Sequence, residues 1–157
     1  SESCDAVVIT GGVSMGDYDF VPDAVQSIGG QVVFHGLPIR PGKPILAATN
    51  GEGKLILGLP GNPVSATINA RRFLLPCLRR MAGAATWKDT LPVVTLSGAP
   101  RQLPLHTMLL ARLTGHGTAD LVASKGSGDL VALGHSDGFV CVDADSNSPG
   151  PWPYIAW

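Results

Sequence analysis

Short apolar runs alternate with glycine-rich turns through the first half of the chain. The β-branched run at residues 5–10 predicts a buried strand, and residues 19–28 carry one apolar face that predicts a helix. Residues 31–35 predict the next strand. A strand, a helix and a strand in this order form a βαβ unit, which predicts a parallel sheet.

The pattern continues with two more predicted strands, at 45–49 and 54–59, which flank the turn residues 50–53. A long helix is predicted over about 63–82. Asn62 is suited to the N-cap of that helix and Pro63 to its first position. Pro76 lies inside the helical pattern and predicts a kink there.

The pattern changes after about Ala85, where short alternating runs separated by turn residues take over. These runs are 91–96, 108–113, 119–123 and 138–143. Such spacing is typical of a small all-β barrel or sandwich. We therefore predict an α/β chain in two domains: a parallel-sheet domain over 1–84 and a β domain over 85–157, with the boundary at 84–89.

Composition excludes several classes of protein. The 157 residues include 45% hydrophobic and 15% charged residues, with a net charge of −1. This balance offers no basic surface for nucleic acid and no cationic face for a membrane. Three widely spaced cysteines without a CxxC pair argue against a disulfide framework or a zinc site and favour a reducing cytoplasm.

The loop at residues 10–19 is the first candidate site, because it follows a strand at the edge where open α/β sheets bind ligands. Its glycines let a ligand approach the backbone, and its serine can donate to a phosphate oxygen; these residues are Gly11, Gly12, Ser14 and Gly16. Asp17 and Asp19 are candidate ligands for a divalent metal. The simpler interpretation, a glycine-rich turn with two acids near a helix start, stays open.

Two more candidate loops follow. Pro60, Gly61 and Asn62 lead from a strand into a helix, and Ser65 lies in its first turn. Arg40 and Lys43 lie with Pro44 on a proline-stiffened loop that suits an oxyanion such as phosphate or molybdate. Helix capping and an ordinary basic loop are the simpler interpretations. We expect the loops after Ile9, Ile39 and Leu59 to converge on one crevice.

The strings TGGVSMGDYD, RPGKP and GLPGNPVSA resemble, in this order and at these separations, the MoeA/gephyrin E-domain family of molybdopterin molybdotransferases. The first string is shared with the wider molybdopterin-binding (MoCF) fold, and the other two are more specific. The resemblance is strong over residues 5–83. It implies a MoCF domain followed by a β domain.

The resemblance also implies an activity: hydrolysis of adenylylated molybdopterin, release of AMP and insertion of molybdate, assisted by magnesium. It makes Asp19 the catalytic and metal-binding acid, with Asp17 as its neighbour. It assigns the pterin phosphate or nucleotide to Gly11, Gly12, Ser14 and Gly16, with Pro60, Gly61 and Asn62 as further substrate contacts. It assigns molybdate to Arg40, Lys43, Pro44 and Ser65, and Ser127 resembles a β-domain serine that faces the same crevice.

The sequence departs from the family in two respects. The arginine that family β domains carry near a strand start is absent or displaced at residues 104–109, which puts a β-domain contribution to molybdate binding in doubt. Further domains and part of the sheet lie upstream in family members, so we expect no turnover by the 157 residues and a homodimer only in the full-length protein. The alternatives are a molybdopterin adenylyltransferase-like enzyme and a non-catalytic, gephyrin-like scaffold.

Overall fold

The computed structural model describes residues 4–14, 19–88 and 90–157. In this part of the chain, four strands form a first sheet in the order β1, β5, β4, β2. The strands are β1 (Ala6–Thr10), β2 (Gln31–His35), β4 (Leu46–Thr49) and β5 (Leu55–Leu59). The α/β class is confirmed.

The first sheet is mixed, although a parallel one was predicted. β1 and β5 pair in parallel, whereas β4 runs antiparallel to both β5 and β2. The reason is local: Asn50 accepts hydrogen bonds from the backbone amides of Glu52 and Lys54 through its side-chain oxygen. That turn folds β4 and β5 into a hairpin.

Helices cover both faces of the first sheet. Helix α1 (Val21–Ser27) packs Val21 and Val25 against Leu46 and Ile56 on one face. The other face packs against Ala70, Phe73 and Leu74 of a π-helical turn (Ala70–Leu74). This turn follows α2 (Pro63–Asn69) and precedes α3 (Leu75–Met81). Because successive strand residues point to opposite faces, both faces of β4 and β5 are apolar and buried.

The predicted kink at Pro76 takes the form of the π-helical turn that immediately precedes it. Proline has no backbone N–H, and its ring crowds the carbonyl four residues earlier. A π turn widens the backbone spiral and relieves that crowding. The long helix of the sequence pattern is therefore two α-helical segments joined by one π turn.

The second sheet is a small barrel. In the described chain six strands have the order β3, β7, β8, β6, β10, β9, and β9 also pairs with β7, which closes the ring. They are β3 (Ile39–Arg40), β6 (Val93–Leu96), β7 (His106–Gly115), β8 (Thr118–Leu121), β9 (Gly138–Val142) and β10 (Trp152–Ala156). Helix α4 (Leu130–Gly134) lies between β8 and β9. The predicted all-β segment is thus barrel-like, with α4 and β10 added.

The first half of the chain is packed onto the barrel. Strand β3 pairs in parallel with the start of β7, where Ile39 lies opposite His106 and Arg40 opposite Thr107. Val64 and Ile68 of α2 share a buried cluster with barrel residues that include Phe139. Residues 39–40 therefore belong to the second sheet, although they precede the predicted boundary at 84–89. This pairing places the Arg40–Lys43 loop beside the barrel.

Candidate functional site

A cavity of about 700 Å³ lies between the loops of the first sheet and the barrel. Seven of the residues predicted for substrate or molybdate line it: Arg40, Lys43, Pro44, Pro60, Asn62, Ser65 and Ser127. They come from three separate segments of the chain. The loops after β3 and β5 therefore converge, which was expected of these two loops together with the loop after β1.

The loop that carries Arg40 and Lys43 is held by backbone hydrogen bonds. The amide of Gly36 donates to the carbonyl of Ile45 at 2.8 Å, and the amide of Leu37 donates to the carbonyl of Lys43 at 2.9 Å. Arg40 and Lys43 are exposed, whereas Gly42 between them is buried. The loop backbone is therefore buried at Gly42, while the side chains of Arg40 and Lys43 line the cavity.

The start of α2 forms the next wall of the cavity. Asn62 occupies the N-cap position as predicted, with an extended backbone, but its side chain makes no capping hydrogen bond. Ser65 is buried at 3% exposure. The amide of Val64 donates to the carbonyl of Ser127 at 3.1 Å. This bond joins the helix start to the barrel and already uses an amide that an anion could otherwise accept from.

The loop around Ser127 is fixed by the carboxylate of Asp129. That carboxylate accepts hydrogen bonds from the backbone amides of Lys125, at 2.9 Å, and of Ala132, at 3.0 Å. These two bonds, with that from Lys125 the larger cause, lower the pKa of Asp129 from its ordinary value. The ionised carboxylate therefore holds the Ser127 loop in its position at the cavity.

The barrel adds residues that the sequence analysis did not select. Arg101 lies on the segment before β7 and lines the cavity, together with Thr107 and the apolar side chains of Leu103, Leu105 and Met108. Arg101 lies upstream of residues 104–109, the stretch at which the family arginine is absent or displaced. The available signal was a proline on each side, at Pro100 and Pro104, as in the loop of Arg40 and Lys43.

Among the described residues, the charged side chains that line the cavity are all cations. Arg40, Lys43 and Arg101 line it, and no Asp or Glu does so among the described residues. Cations converging on a recess of this kind create a positive potential that attracts anions. The arrangement can bind a small oxyanion by charge-assisted hydrogen bonds.

The described residues of the glycine-rich loop after β1, 11–14 and 19, lie beside the cavity without lining it. The amide of Gly11 donates to the carbonyl of Leu59 at 2.9 Å, and a Cβ added to Gly61 would lie 3.4 Å from Cα of Gly11. The carbonyl of Gly12 accepts from the amide of Val21. Ser14 is exposed and Asp19 is half-buried. Gly16 and Asp17 lie outside the described residues.

The described residues also show which side chains are available for the predicted metal ion. Over residues 4–14, 19–88 and 90–157, no group of three or more His, Cys, Asp or Glu side chains is assembled to hold a metal ion. Asp19 is a single carboxylate, so the described residues do not by themselves fit magnesium.

None of the helices over residues 4–14, 19–88 and 90–157 is both long enough and apolar enough to span a bilayer.

The sequence is also similar to known proteins. Residues 1–80 match a family model described as a probable molybdopterin binding domain. A molybdopterin molybdenumtransferase of Synechococcus elongatus is 49% identical over 79 residues, which are 50% of this chain and 20% of that protein. The enzyme of the same name from Staphylococcus aureus is 28% identical over 149 residues, 92% of this chain and 35% of its own length.

A solved structure extends the likeness to the barrel. The molybdopterin biosynthesis MoeA protein of Pyrococcus horikoshii superimposes with a TM-score of 0.75 at 28% identity, covering 98% of this chain and 37% of the other. The chain thus spans about a fifth to a third of the length of these relatives. Because the family model covers more than half of the sequence, the chain belongs to the family of molybdopterin-binding (MoCF) domains.

Proposed function

We propose that this chain serves molybdenum cofactor synthesis as part of a molybdopterin molybdenumtransferase, and that its cavity binds molybdate. One observation carries the proposal: Arg40, Lys43 and Arg101 line one cavity with the hydroxyl-bearing Ser65 and Ser127. Guanidinium, ammonium and hydroxyl groups are the donors that a tetrahedral oxyanion accepts from. Relatives that are named molybdopterin molybdenumtransferase support the same assignment.

The size of the cavity supports a larger ligand that includes the oxyanion. Four oxygens around one metal atom take the space of about four waters, or on the order of 120 Å³. The cavity measures about 700 Å³. The remaining volume borders the apolar side chains of Leu103, Leu105 and Met108. A mostly apolar recess with a few charged groups suits a pterin whose substituents reach the cations.

The neighbouring loop completes the proposal. Gly11, Gly12, Ser14 and Gly16 hold the phosphate or nucleotide of adenylylated molybdopterin, and Asp19, with Asp17, promotes its hydrolysis and the release of AMP. The close approach of Gly61 to Gly11 supports a continuous site, because Pro60 and Asn62 on each side of Gly61 line the cavity. Magnesium and a homodimer of the full-length protein stay predictions.

The test is a calorimetric titration of the chain with molybdate, and with sulfate as a competitor. Lys43→Gln and Arg40→Gln each remove a charged donor and are expected to weaken binding by roughly tenfold. Arg112→Gln is the matched control, because Arg112 is an exposed cation of β7 that does not line the cavity. Molybdate affinity that is the same in Lys43→Gln and in the unsubstituted chain contradicts the proposal.

A further inference from the structure

Asn69 is a buried polar side chain that the sequence patterns do not single out. It is the last residue of α2 and has no exposed surface. In the described chain its Oδ1 is buried and has no hydrogen-bond partner. An unpaired buried acceptor lowers stability, so a contribution to the core does not explain an asparagine here. Its contacts point to another role.

The amide nitrogen of Asn69 joins two parts of the cavity wall. Nδ2 donates to the carbonyl of Ser65 at 2.7 Å and to the carbonyl of Pro41 at 3.3 Å. A side-chain amide has two hydrogens, so both bonds can form together. Ser65 is on the same helix, and Pro41 is on the loop of Arg40 and Lys43. One side chain therefore connects the helix wall of the cavity to the loop that carries the cations.

The contact between the loop and Asn69 requires a glycine at position 42. Its backbone has φ of +109° and lies so close to Asn69 that an added Cβ would overlap the amide nitrogen and lie 2.6 Å from Cγ. A residue with a side chain is excluded there by the backbone conformation and by Asn69 together. The loop backbone thus rests directly on the Asn69 amide group.

We propose that Asn69 is a positioning residue, which holds the Arg40–Lys43 loop against α2 so that both cations meet one oxyanion. The inference rests on the proposed function for its ligand and on geometry for its contacts. The base of the loop is closed by its own backbone bonds, and Arg40 is paired with Thr107 of β7. The tip of the loop, at Pro41 and Gly42, rests on Asn69. Without that contact Lys43 must be ordered relative to Arg40 when the anion binds, and the ordering cost lowers affinity.

The test compares Asn69→Leu with the unsubstituted chain. Leucine is close to asparagine in size and removes the unpaired acceptor together with the donor, so the melting temperature is expected to stay near that of the unsubstituted chain. Molybdate affinity is expected to fall by about tenfold. Hydrogen exchange is expected to speed up at the amides of Leu37 and Ile45, which donate to the carbonyls of Lys43 and Gly42.

Two further variants keep the test decisive. In Asn69→Ser the serine hydroxyl can still donate to the carbonyl of Ser65, one helical turn earlier, but it is too short to reach the carbonyl of Pro41. This variant should therefore loosen the loop while α2 keeps its side-chain bond to Ser65. Val25→Ala, in the α1 cluster away from the cavity, controls for lost stability. Val25→Ala should leave molybdate affinity unchanged. Hydrogen exchange at the amides of Leu37 and Ile45 should change in this variant only as much as the loss of global stability requires.

The readouts separate this inference from the proposed function. Faster exchange at Leu37 and Ile45 in both Asn69 variants, with weaker molybdate binding, supports the positioning role. Unchanged exchange at these two amides overturns it, whatever the affinity. If the unsubstituted chain binds no molybdate, the proposed function fails, and the exchange data still decide whether Asn69 holds the loop.

Discussion

The side chain of Val13 lies directly on the backbone of Gly58, so that a Cβ added to Gly58 would come 2.5 Å from Cγ1 of Val13. Val13 is 1% exposed, although it belongs to the glycine-rich loop after β1. Its carbonyl also lies 2.6 Å from Nε2 of His35 on β2. The side chain of Val13 thus anchors the loop that carries Gly11, Gly12 and Ser14 in the core.

The contact between Val13 and Gly58 predicts a coupled pair. Gly58→Ala should lower the free energy of unfolding by about 1–3 kcal/mol, because the added methyl group overpacks the core. In the Val13→Ala background the same substitution should cost less, since the space above Gly58 is then open. Urea denaturation of the two single variants and the double variant measures the difference. Additive effects of the two substitutions would show that contact with Val13 is not what makes a methyl group at position 58 destabilising.

Arg101 tests whether the barrel contributes to anion binding. Arg101→Gln should weaken molybdate binding by roughly tenfold, because it removes one of the charged donors at the cavity. The salt dependence of the affinity should also become shallower. Titration at two ionic strengths measures both quantities, with Arg112→Gln as the control. Affinity and salt dependence equal to those of the control would remove Arg101 from the site.

Asp129 predicts a pH-dependent change in the Ser127 loop. Its pKa is lowered by hydrogen bonds from the Lys125 and Ala132 amides, so its contribution to stability is complete above the ordinary pKa of 3.8 and is lost as the pH falls through the lower folded value. Asp129→Asn should therefore lower the urea midpoint at pH 7 and have much less effect at pH 3. Asp120→Asn is the control, since that carboxylate accepts from the Ser97 hydroxyl and not from this loop. An equal effect at both pH values would contradict the assignment.

Asp19 tests the proposed chemistry in the full-length enzyme. Asp19→Asn should reduce hydrolysis of the adenylate by about 10²-fold or more, while binding of the pterin substrate stays largely unchanged. Asp23→Asn is the control, because Asp23 is an acid in the first turn of α1 on the same segment. Single-turnover release of AMP and equilibrium binding give the two readouts. Unchanged hydrolysis in Asp19→Asn would show that another group performs this step.

The cysteines should differ in reactivity. Cys77 is exposed on α3, whereas Cys141 packs in the cluster between α2 and the barrel, and loss of solvent raises the pKa of its thiol. A neutral, shielded thiol reacts slowly because the thiolate is the nucleophile. A disulfide reagent at pH 8 should therefore modify Cys77 long before Cys141, as peptide mass spectrometry can follow. Similar rates at both positions would contradict the packing of β9 against α2.

Local patterns account for much of the first sheet. The run at residues 5–10, the run at 54–59 and the turn at Asn50 depend on neighbouring residues, so β1, β5 and the hairpin could be predicted. The antiparallel direction of β4 follows from the same turn. Helix α4 was missed because its five residues, Leu130–Gly134, are too few for a periodic pattern, although Asp129 caps it.

The sequence by itself determined four strands of the first half, namely β1, β2, β4 and β5, and the helical segments of that half. It also determined the β character of the second half and the three loops that carry the candidate residues. The tertiary structure decided which of these residues share a cavity. It paired Ile39 and Arg40 with β7, and it brought Arg101 into the same cavity wall as Lys43. It also placed the described residues 11–14 beside that cavity instead of in its wall. The physical reason is the distance along the chain over which each kind of interaction acts. Propensity and periodicity act over a few residues, whereas the bond from Asn69 to Pro41 joins residues 28 positions apart and depends on the packing of the whole chain.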